Sequence, residues 1–231
     1  AAGFPAEAAV NSNTYEYWLP ATMPATFTMD AGAAVDVDAV GIGAHSFADD
    51  NVTITIESSP DAVTWTTVST GAFGAQDGTP VLALFDKVFA RYWRVSFAGS
   101  TPPQIGVIYI GEALQMYRPF YGGHTPINYG RVTEYVGNKS EGGQTLGTSV
   151  IRKGTQTAYS WKHLPKPWVD ANFDPFIRSV RAAAPFFIAW NALKYPREVG
   201  YVYVGEDIRP SNMGIRDYME VGFTAQGLSD E

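Results

Sequence analysis

Alternating polar and apolar residues recur along the first half of the chain and predict short β-strands there. Val52, Ile54 and Ile56 share one side of such a repeat, with the polar Thr53 and Thr55 between them. This two-residue period is typical of a half-buried strand. Residues 91–97 show the same period, and glycine and proline are frequent between the runs. We therefore predict about seven strands and no helix in residues 1–112.

The second half also predicts strands, but it contains one helical pattern. Asp174 followed by Pro175 is a typical helix start, because aspartate caps free backbone amides and proline suits the first turn. Apolar residues lie around this pair at helical spacing, and Pro185 ends the pattern. We predict a short helix near residues 169–182, with strands on either side. The predicted fold class is therefore mainly β, with one short helix.

Composition narrows the class of protein. Apolar residues make up 45% of the 231 residues, charged residues 17%, and the net charge is −7. This balance indicates a packed globular chain and argues against a disordered tail or a nucleic-acid partner. The chain has no cysteine, so neither disulfides nor thiolate metal sites are expected. The strongly apolar residues 182–190 are too few to cross a bilayer, and we expect no membrane insertion.

Charge divides the chain into two parts. Residues 1–112 carry twelve acidic and three basic side chains, a net −9, whereas residues 113–231 carry thirteen basic and eleven acidic ones, a net +2. Such asymmetry favours two modules with different surroundings, although drift of surface charge would also produce it. The last strand-like run before the change is residues 105–110. We therefore predict two domains, residues 1–112 and residues 113–231.

Four ordered motifs in the first half carry a family resemblance. They are residues 27–32 (FTMDAG), 40–42 (VGI), 52–65 (VTITIESSPDAVTW) and 90–95 (ARYWRV). In this order they resemble a discoidin domain, the coagulation-factor type C or galactose-binding-like jelly-roll β-sandwich. The family usually has Asp-Gly where this chain has Asp-Ala, four residues before the tryptophan. The resemblance covers about residues 4–112 and implies a jelly-roll fold whose loops carry any ligand.

Shorter motifs in the second half carry a second resemblance. They are residues 108–113 (IYIGEA), 168–181, 186–190 (FFIAW) and 220–225 (EVGFTA). Residues 108–231 are similar to the β-sandwich domain of distal-tail and tail-tip proteins of long-tailed bacteriophages. The resemblance implies a second β-sandwich and self-association into a ring. It also implies contacts with other phage tail proteins, such as the tail tube and hub, and a place in the virion after assembly in the bacterial cytoplasm.

Patterns for catalysis and metal binding are weak. The histidines, His45, His124 and His163, are far apart and form no His-Glu-x-x-His pair. Residues 41–43 lack the third glycine of a dinucleotide-binding loop, and residues 147–151 lack the final glycine of a nucleophile elbow. We therefore predict no catalytic residue, no metal site, no cofactor and no enzymatic activity.

Aromatic and polar residues near predicted strand ends form a candidate carbohydrate site. Sugar rings stack on aromatic side chains, and their hydroxyls need a few placed polar groups. The candidate contacts are Trp18, Tyr17, His45 and Asn51, with Tyr15 beside them. The alternative is that Trp18 and Tyr17 belong to the core or to an interface.

Three further aromatic residues lie inside strand patterns, so we assign them to the structural core. They are Trp65, Trp93 and Phe97. With the core assigned, three hypotheses about function remain. The first is a structural subunit of a phage tail tip, with a ring formed by the C-terminal half and a peripheral module that contacts a host surface glycan. The second is a freestanding carbohydrate-binding or adhesion protein. The third is an enzyme, for which the sequence offers no candidate pocket.

Overall fold

The computed structural model describes residues 4–47, 52–71, 73, 78–214 and 216–228. The chain divides into two compact units, and its described strands form two antiparallel sheets. The first unit comprises the residues up to Gln115 together with Phe187–Gly200, and the second comprises Met116–Phe186 with the residues from Tyr201 onwards. The expected mainly β fold class is confirmed. Within the described residues, no helix combines the length and the apolar character needed to span a membrane.

The first unit is built on a five-stranded sheet with the order β3-β2-β4-β1-β5. The strands are β1 (Ala25–His45), β2 (Thr53–Ser59), β3 (Thr66–Gly71), β4 (Val81–Ala98) and β5 (Ile105–Gly111). The two long strands, β1 and β4, pair with each other along most of their length, and two register shifts interrupt the pairing. The first half of β1 lies opposite the end of β4, whereas its second half lies between β4 and β5.

The predicted alternation in this unit produces the core. Ile54 and Ile56 of β2 are fully buried, as are Trp93, Val95 and Phe97 of β4. Because successive side chains of a strand point to opposite faces, one face of each strand supplies the core while the other carries polar groups. This core holds the strands that position the loops and the N-terminal segment of the unit.

The second sheet has six strands, with the order β6-β7-β11-β9-β8 and with β10 paired to β11. Its strands are β6 (Arg131–Lys139), β7 (Thr145–Pro165), β8 (Phe186–Ala189), β9 (Val199–Val204), β10 (Ser211–Asn212) and β11 (Tyr218–Leu228). Most of its residues belong to the second unit, whereas residues 187–189 of β8 and 199–200 of β9 are grouped with the first. Tyr159 and Trp161 of β7 are buried against aromatic neighbours, among them Phe120 and Phe223. This aromatic cluster forms one part of the core, beside buried aliphatic residues such as Leu164 and Val221.

The helical segment begins earlier than the sequence predicted. It consists of α1 (Lys166–Trp168), a π-helical turn (Val169–Phe173) and α2 (Asp174–Ser179), so it runs over 166–179 rather than 169–182. Asp174 and Pro175 lie inside this segment instead of starting it. Because proline has no N–H for the carbonyl four residues earlier, a wider turn directly before Pro175 accommodates the ring. The helix has a proline in its true first turn as well, Pro167, and the sequence prediction rests on the later pair of Asp174 and Pro175.

One part of the second sheet extends beyond its core. β7 pairs with β11 only from Gly154 onwards, so residues 145–153 have β6 as their neighbour among the described strands. Residues 131–153, which we call the arm, are therefore a two-stranded ribbon. Every side chain of the arm except Ser140 is exposed. Two faces and two edges of this ribbon are thus open to solvent in the single chain.

Candidate functional site

The N-terminal segment of the first unit forms a cleft of about 580 Å³ on the surface. Its wall combines aromatic rings with carboxylate and amide groups. The lining residues are Phe4, Pro5, Glu7, Ala8, Asn11, Tyr15, Glu16 and Tyr17. A cleft that pairs ring faces with a few polar groups is the usual form of a small-ligand site. We therefore treat this cleft as the candidate binding site.

The cleft is held in place by buried anchors. A 3-10 helix over Ala6–Val10 packs against β5, and Ala9 within it is fully buried. Further along, Trp18 and Ile105 exchange two backbone hydrogen bonds of 2.8 and 3.0 Å. These contacts join the segment to the edge of the sheet. The cleft therefore rests on rigid structure rather than on a free terminus.

Local hydrogen bonds shape the turn between these anchors. The Asn11 side-chain oxygen accepts a hydrogen bond from the Asn13 amide at 2.7 Å, which is the usual turn-forming contact of asparagine. The Asn11 side-chain amide donates to a Glu16 carboxylate oxygen, also at 2.7 Å. Asn11 thus fixes both the turn and the orientation of one carboxylate. Glu16 in this position is a ready acceptor for a further donor.

The aromatic side chains of the cleft have different roles. The Tyr17 ring stacks on Phe4 with centroids 4.7 Å apart and planes 13° apart, so one face of Tyr17 is already covered. Tyr15 is 91% exposed and lies in the same cleft wall. An exposed tyrosine ring beside carboxylates can stack on a sugar ring while the carboxylates accept its hydroxyl protons. Tyr15 is therefore the best placed stacking surface.

Two of the predicted carbohydrate contacts are structural in this fold. Trp18 is only 8% exposed and packs against Phe27 and Phe97, so its ring faces are occupied by the core. His45 is 7% exposed, and its Nε2–H donates to the Thr79 carbonyl oxygen at 2.8 Å. Neither ring can stack on a ligand in this conformation. The alternative that assigned Trp18 to the core is the one the structure supports.

The remaining predicted residues divide in the same way. Asn51 lies outside the described residues, whereas Tyr17 and the neighbouring candidate Tyr15 both line the cleft. Trp93 and Phe97, assigned to the core, are fully buried. Trp65 is a correction, because it lies outside β3 and is only half-buried.

Trp65 belongs to a charged stack on the outer surface of the first sheet. The Arg94 guanidinium lies 4.3 Å from the centroid of the Trp65 ring and makes two hydrogen bonds of 2.7 and 2.8 Å to the Glu57 carboxylate. This paired cation lowers the pKa of Glu57 below its ordinary value. Since the guanidinium already serves the ring and the carboxylate, this stack is a structural element.

Two other kinds of site are candidates in the described structure: a metal site and a second cleft. Among the described residues, no group of three or more histidine or carboxylate side chains lies close enough together to hold a metal ion. A second cleft of about 390 Å³ in the second unit is lined by charges of both signs, including Arg181, Glu206, Asp207 and Arg209. Its mixed charges select no particular ligand.

Sequence reasoning missed Glu7, Asn11 and Glu16. A signal for the turn was present, because residues 11–13 read Asn-Ser-Asn, a composition typical of turns. No local pattern indicates that this turn returns Tyr15 and Glu16 to the same wall as Glu7. This arrangement depends on the backbone bridge between Trp18 and Ile105, two residues that lie far apart in the chain.

Comparisons with known proteins address the first unit. The F5/8 type C domain family matches residues 1–109. This part of the chain is discoidin-like. A search of curated proteins found no significant match.

Solved structures match about half of the chain. The CBM32 module of AlyQ, solved with 4,5-unsaturated mannuronic acid, is 24% identical over 48% of this chain and 88% of its own, with a TM-score of 0.42. Chitosan-binding module 1 of a chitosanase/glucanase from Paenibacillus sp. IK-5 is 25% identical over 48% and 86%, with a TM-score of 0.41. A CBM32 module of a family 31 glycoside hydrolase from Clostridium perfringens is 17% identical over 48% and 87%, with a TM-score of 0.41.

Proposed function

We propose that the discoidin-like unit is a non-catalytic glycan-binding module whose ligand occupies the N-terminal cleft. The observation that carries this proposal is the exposed Tyr15 ring in one wall with two carboxylates and an amide. Stacking supplies apolar contact to the flat face of a sugar, and the polar groups orient its hydroxyls. The discoidin-like character of residues 1–109 supports a binding role for this unit.

The charge of the cleft restricts the class of sugar. Glu7 and Glu16 line it, and no lysine or arginine is among the described residues that line it. A uronic acid or a sulfated sugar would bring like charge against these carboxylates, which disfavours binding. We therefore propose neutral sugars or cationic amino sugars as ligands.

The proposal is tested by calorimetric titration of the full chain with soluble oligosaccharides of three kinds: neutral, amino and uronic. We expect binding to the first two kinds. Tyr15→Ala should weaken it at least about ten-fold, which corresponds to about 1.4 kcal/mol of lost binding energy. Tyr129→Ala is the matched control, because Tyr129 is 72% exposed but lies outside the cleft. The proposal fails if no sugar binds or if Tyr15→Ala leaves the affinity unchanged.

A carboxylate variant separates the choice of sugar from binding itself. Glu7→Gln keeps the size of the side chain and removes its charge. We expect it to reduce the preference for amino over neutral sugars, because one attractive charge is lost. Equal loss of affinity for both kinds would show that Glu7 acts through shape rather than charge.

A second candidate function is the structural role in a phage tail tip, with self-association into a ring and a place in the virion. The exposed arm of the second unit favours it, because a ribbon without a core beneath it is suited to bind another subunit. Copurification of the chain with assembled tails would support this function. A chain that binds glycans but stays monomeric and apart from virions would instead be a freestanding carbohydrate-binding or adhesion protein.

A further inference from the structure

The arm exposes a large apolar surface for a two-stranded ribbon. Six of its large apolar side chains are 46–67% exposed; they are Val132, Tyr135, Val136, Leu146, Val150 and Ile151. A two-stranded hairpin is marginal in water unless it packs on something. Open edges of this kind are also templates for contact with other chains. The arm is therefore built as an interaction surface.

Size and charge define what the arm can bind. Nine residues per strand give a length of about 30 Å, and covering both faces of such a ribbon would bury about 600 Å². That area approaches the roughly 800 Å² that each partner contributes to a standard stable interface. The arm also carries four basic and two acidic side chains, a net +2. Its partner should therefore present apolar side chains surrounded by acidic ones.

The first unit has a surface that answers this description. Phe89 is 70% exposed and lies directly across from Asp36 in the β1–β4 pairing. Lys87, two residues before Phe89, forms an ion pair with Glu112. The hydrogen bond to Glu112 raises the pKa of Lys87 above its ordinary value, and the charges of Asp36 and Asp38 add to this effect, so both carboxylates are close to Lys87.

Tyr109 completes this surface and is 47% exposed. Burial of its hydroxyl raises its pKa, and the charges of Asp38 and Glu112 add to the effect. We call the set Asp36, Asp38, Lys87, Phe89, Tyr109 and Glu112 the acidic patch. It combines two exposed aromatic rings with a net charge of −2.

We infer that the arm of one copy docks on the acidic patch of a second copy. Apolar side chains of the arm would cover Phe89 and Tyr109, while its basic groups would face the carboxylates. Such a contact joins two different surfaces, so it repeats from copy to copy and closes into a ring or grows into a filament. It extends the self-association proposed above and is independent of the glycan cleft. It also gives the acidic half a direct role in assembly, where the sequence placed that half at the periphery.

The first test is the association state of the full chain by sedimentation velocity. We expect assemblies larger than a monomer at about 100 µM protein, and we expect them to weaken as salt rises, because screening shortens the reach of charge attraction. A chain that remains monomeric at this concentration in low salt would overturn the inference.

Two variants separate docking on the patch from other modes of association. The arm variant Val136→Thr/Leu146→Thr removes apolar surface and keeps a strand-forming residue at both positions. The patch variant Phe89→Thr does the same on the other surface. Each variant alone should be monomeric, and an equimolar mixture should form one-to-one pairs, because each pair then has one intact arm and one intact patch.

Controls and contrary outcomes complete the design. Val63→Thr is the matched control for the patch, since Val63 is 81% exposed in the same unit and outside the patch. This control should associate like the original chain, and every variant should keep the melting temperature of the original chain. If the patch variant still associates, arms pair with arms and the inference is wrong. If the mixture forms no pairs, docking of arm on patch is also excluded.

Discussion

Removal of the Trp93 side chain gives a sharp test of the core of the first unit. Trp93 is fully buried, lies within ring-stacking distance of Phe85, and donates its indole N–H to the Ala90 carbonyl oxygen at 3.2 Å. Truncation of a buried tryptophan to alanine costs about 3–5 kcal/mol, and loss of the hydrogen bond adds about 1 kcal/mol. A domain of this size is stabilised by only about 5–15 kcal/mol. Trp93→Ala should therefore remove a large part of its stability.

Trp65→Ala is the matched control, because the sequence assigned both tryptophans to the core. Trp65 is half-buried, and its main specific contact is the Arg94 guanidinium. A cation–ring contact at such a site contributes about 0.5–1 kcal/mol, so we expect a cost of about 1–2 kcal/mol including lost packing. The difference between the two variants is the quantity that tests the burial of these side chains.

Urea unfolding of the full chain, followed by far-ultraviolet circular dichroism, measures this difference. With an m-value of about 2 kcal/mol per molar urea, Trp93→Ala should lower the midpoint of the first unit by about 2–3 M. A separate transition of the second unit, where resolved, should not move and serves as an internal control. A cost below about 1 kcal/mol for Trp93→Ala, or an equal cost for both variants, would refute the assignment of Trp93 to the core.

Two further predictions concern a turn and a close backbone approach. Hydrogen bonds from the backbone amides of Thr64 and its neighbour lower the pKa of Asp61 to about 2, so the advantage of the original chain over Asp61→Asn is complete above the ordinary pKa of 3.8 and is lost as pH falls through about 2. Melting temperatures from pH 7 to about pH 2 check this, and a constant difference between the two proteins would contradict it. Gly130→Ala should cost about 1–3 kcal/mol, since its Cβ would lie 2.5 Å from the Gln156 carbonyl oxygen. Thermal unfolding measures that cost, and Gly142→Ala, whose Cβ would meet nothing closer than 3.9 Å, should change stability by less than about 0.5 kcal/mol.

The sequence predicted those parts of the fold that depend on local periodicity. The alternation of Val52, Ile54 and Ile56 placed all three in the core, where each is at most 1% exposed. Trp65 lies in a similar polar-apolar alternation, yet the strand starts only at Thr66 and the ring packs outward. A two-residue period in the sequence predicts that side chains alternate between the faces of a strand, but it does not predict where the strand begins.

The candidate site could be predicted only in part, because long-range contacts decide it. The sequence placed Tyr17 and Trp18 together near a ligand, and adjacent residues of an extended segment point in opposite directions. One of the two had to face the core, and the bridge between Trp18 and Ile105 decided which. The same bridge brings the turn after Asn11 against the 3-10 helix and so creates the cleft. Nothing within residues 4–18 encodes the position of that distant partner.

The charge asymmetry of the sequence acquires a physical meaning in the structure. All three basic side chains of the first half form ion pairs: Lys87 with Glu112, Arg91 with Asp30, and Arg94 with Glu57. Residues 1–112 therefore keep nine negative charges in excess.

At physiological salt, the field of those nine charges is largely screened beyond about 8 Å. A ligand in the cleft therefore responds mainly to the carboxylates that line it, Glu7 and Glu16, rather than to the net charge of the unit. The arm of another copy differs, because it is large enough to meet several carboxylates within that distance at once. Salt should consequently weaken assembly more steeply than it weakens binding of a small amino sugar, and each process can be measured in the same protein.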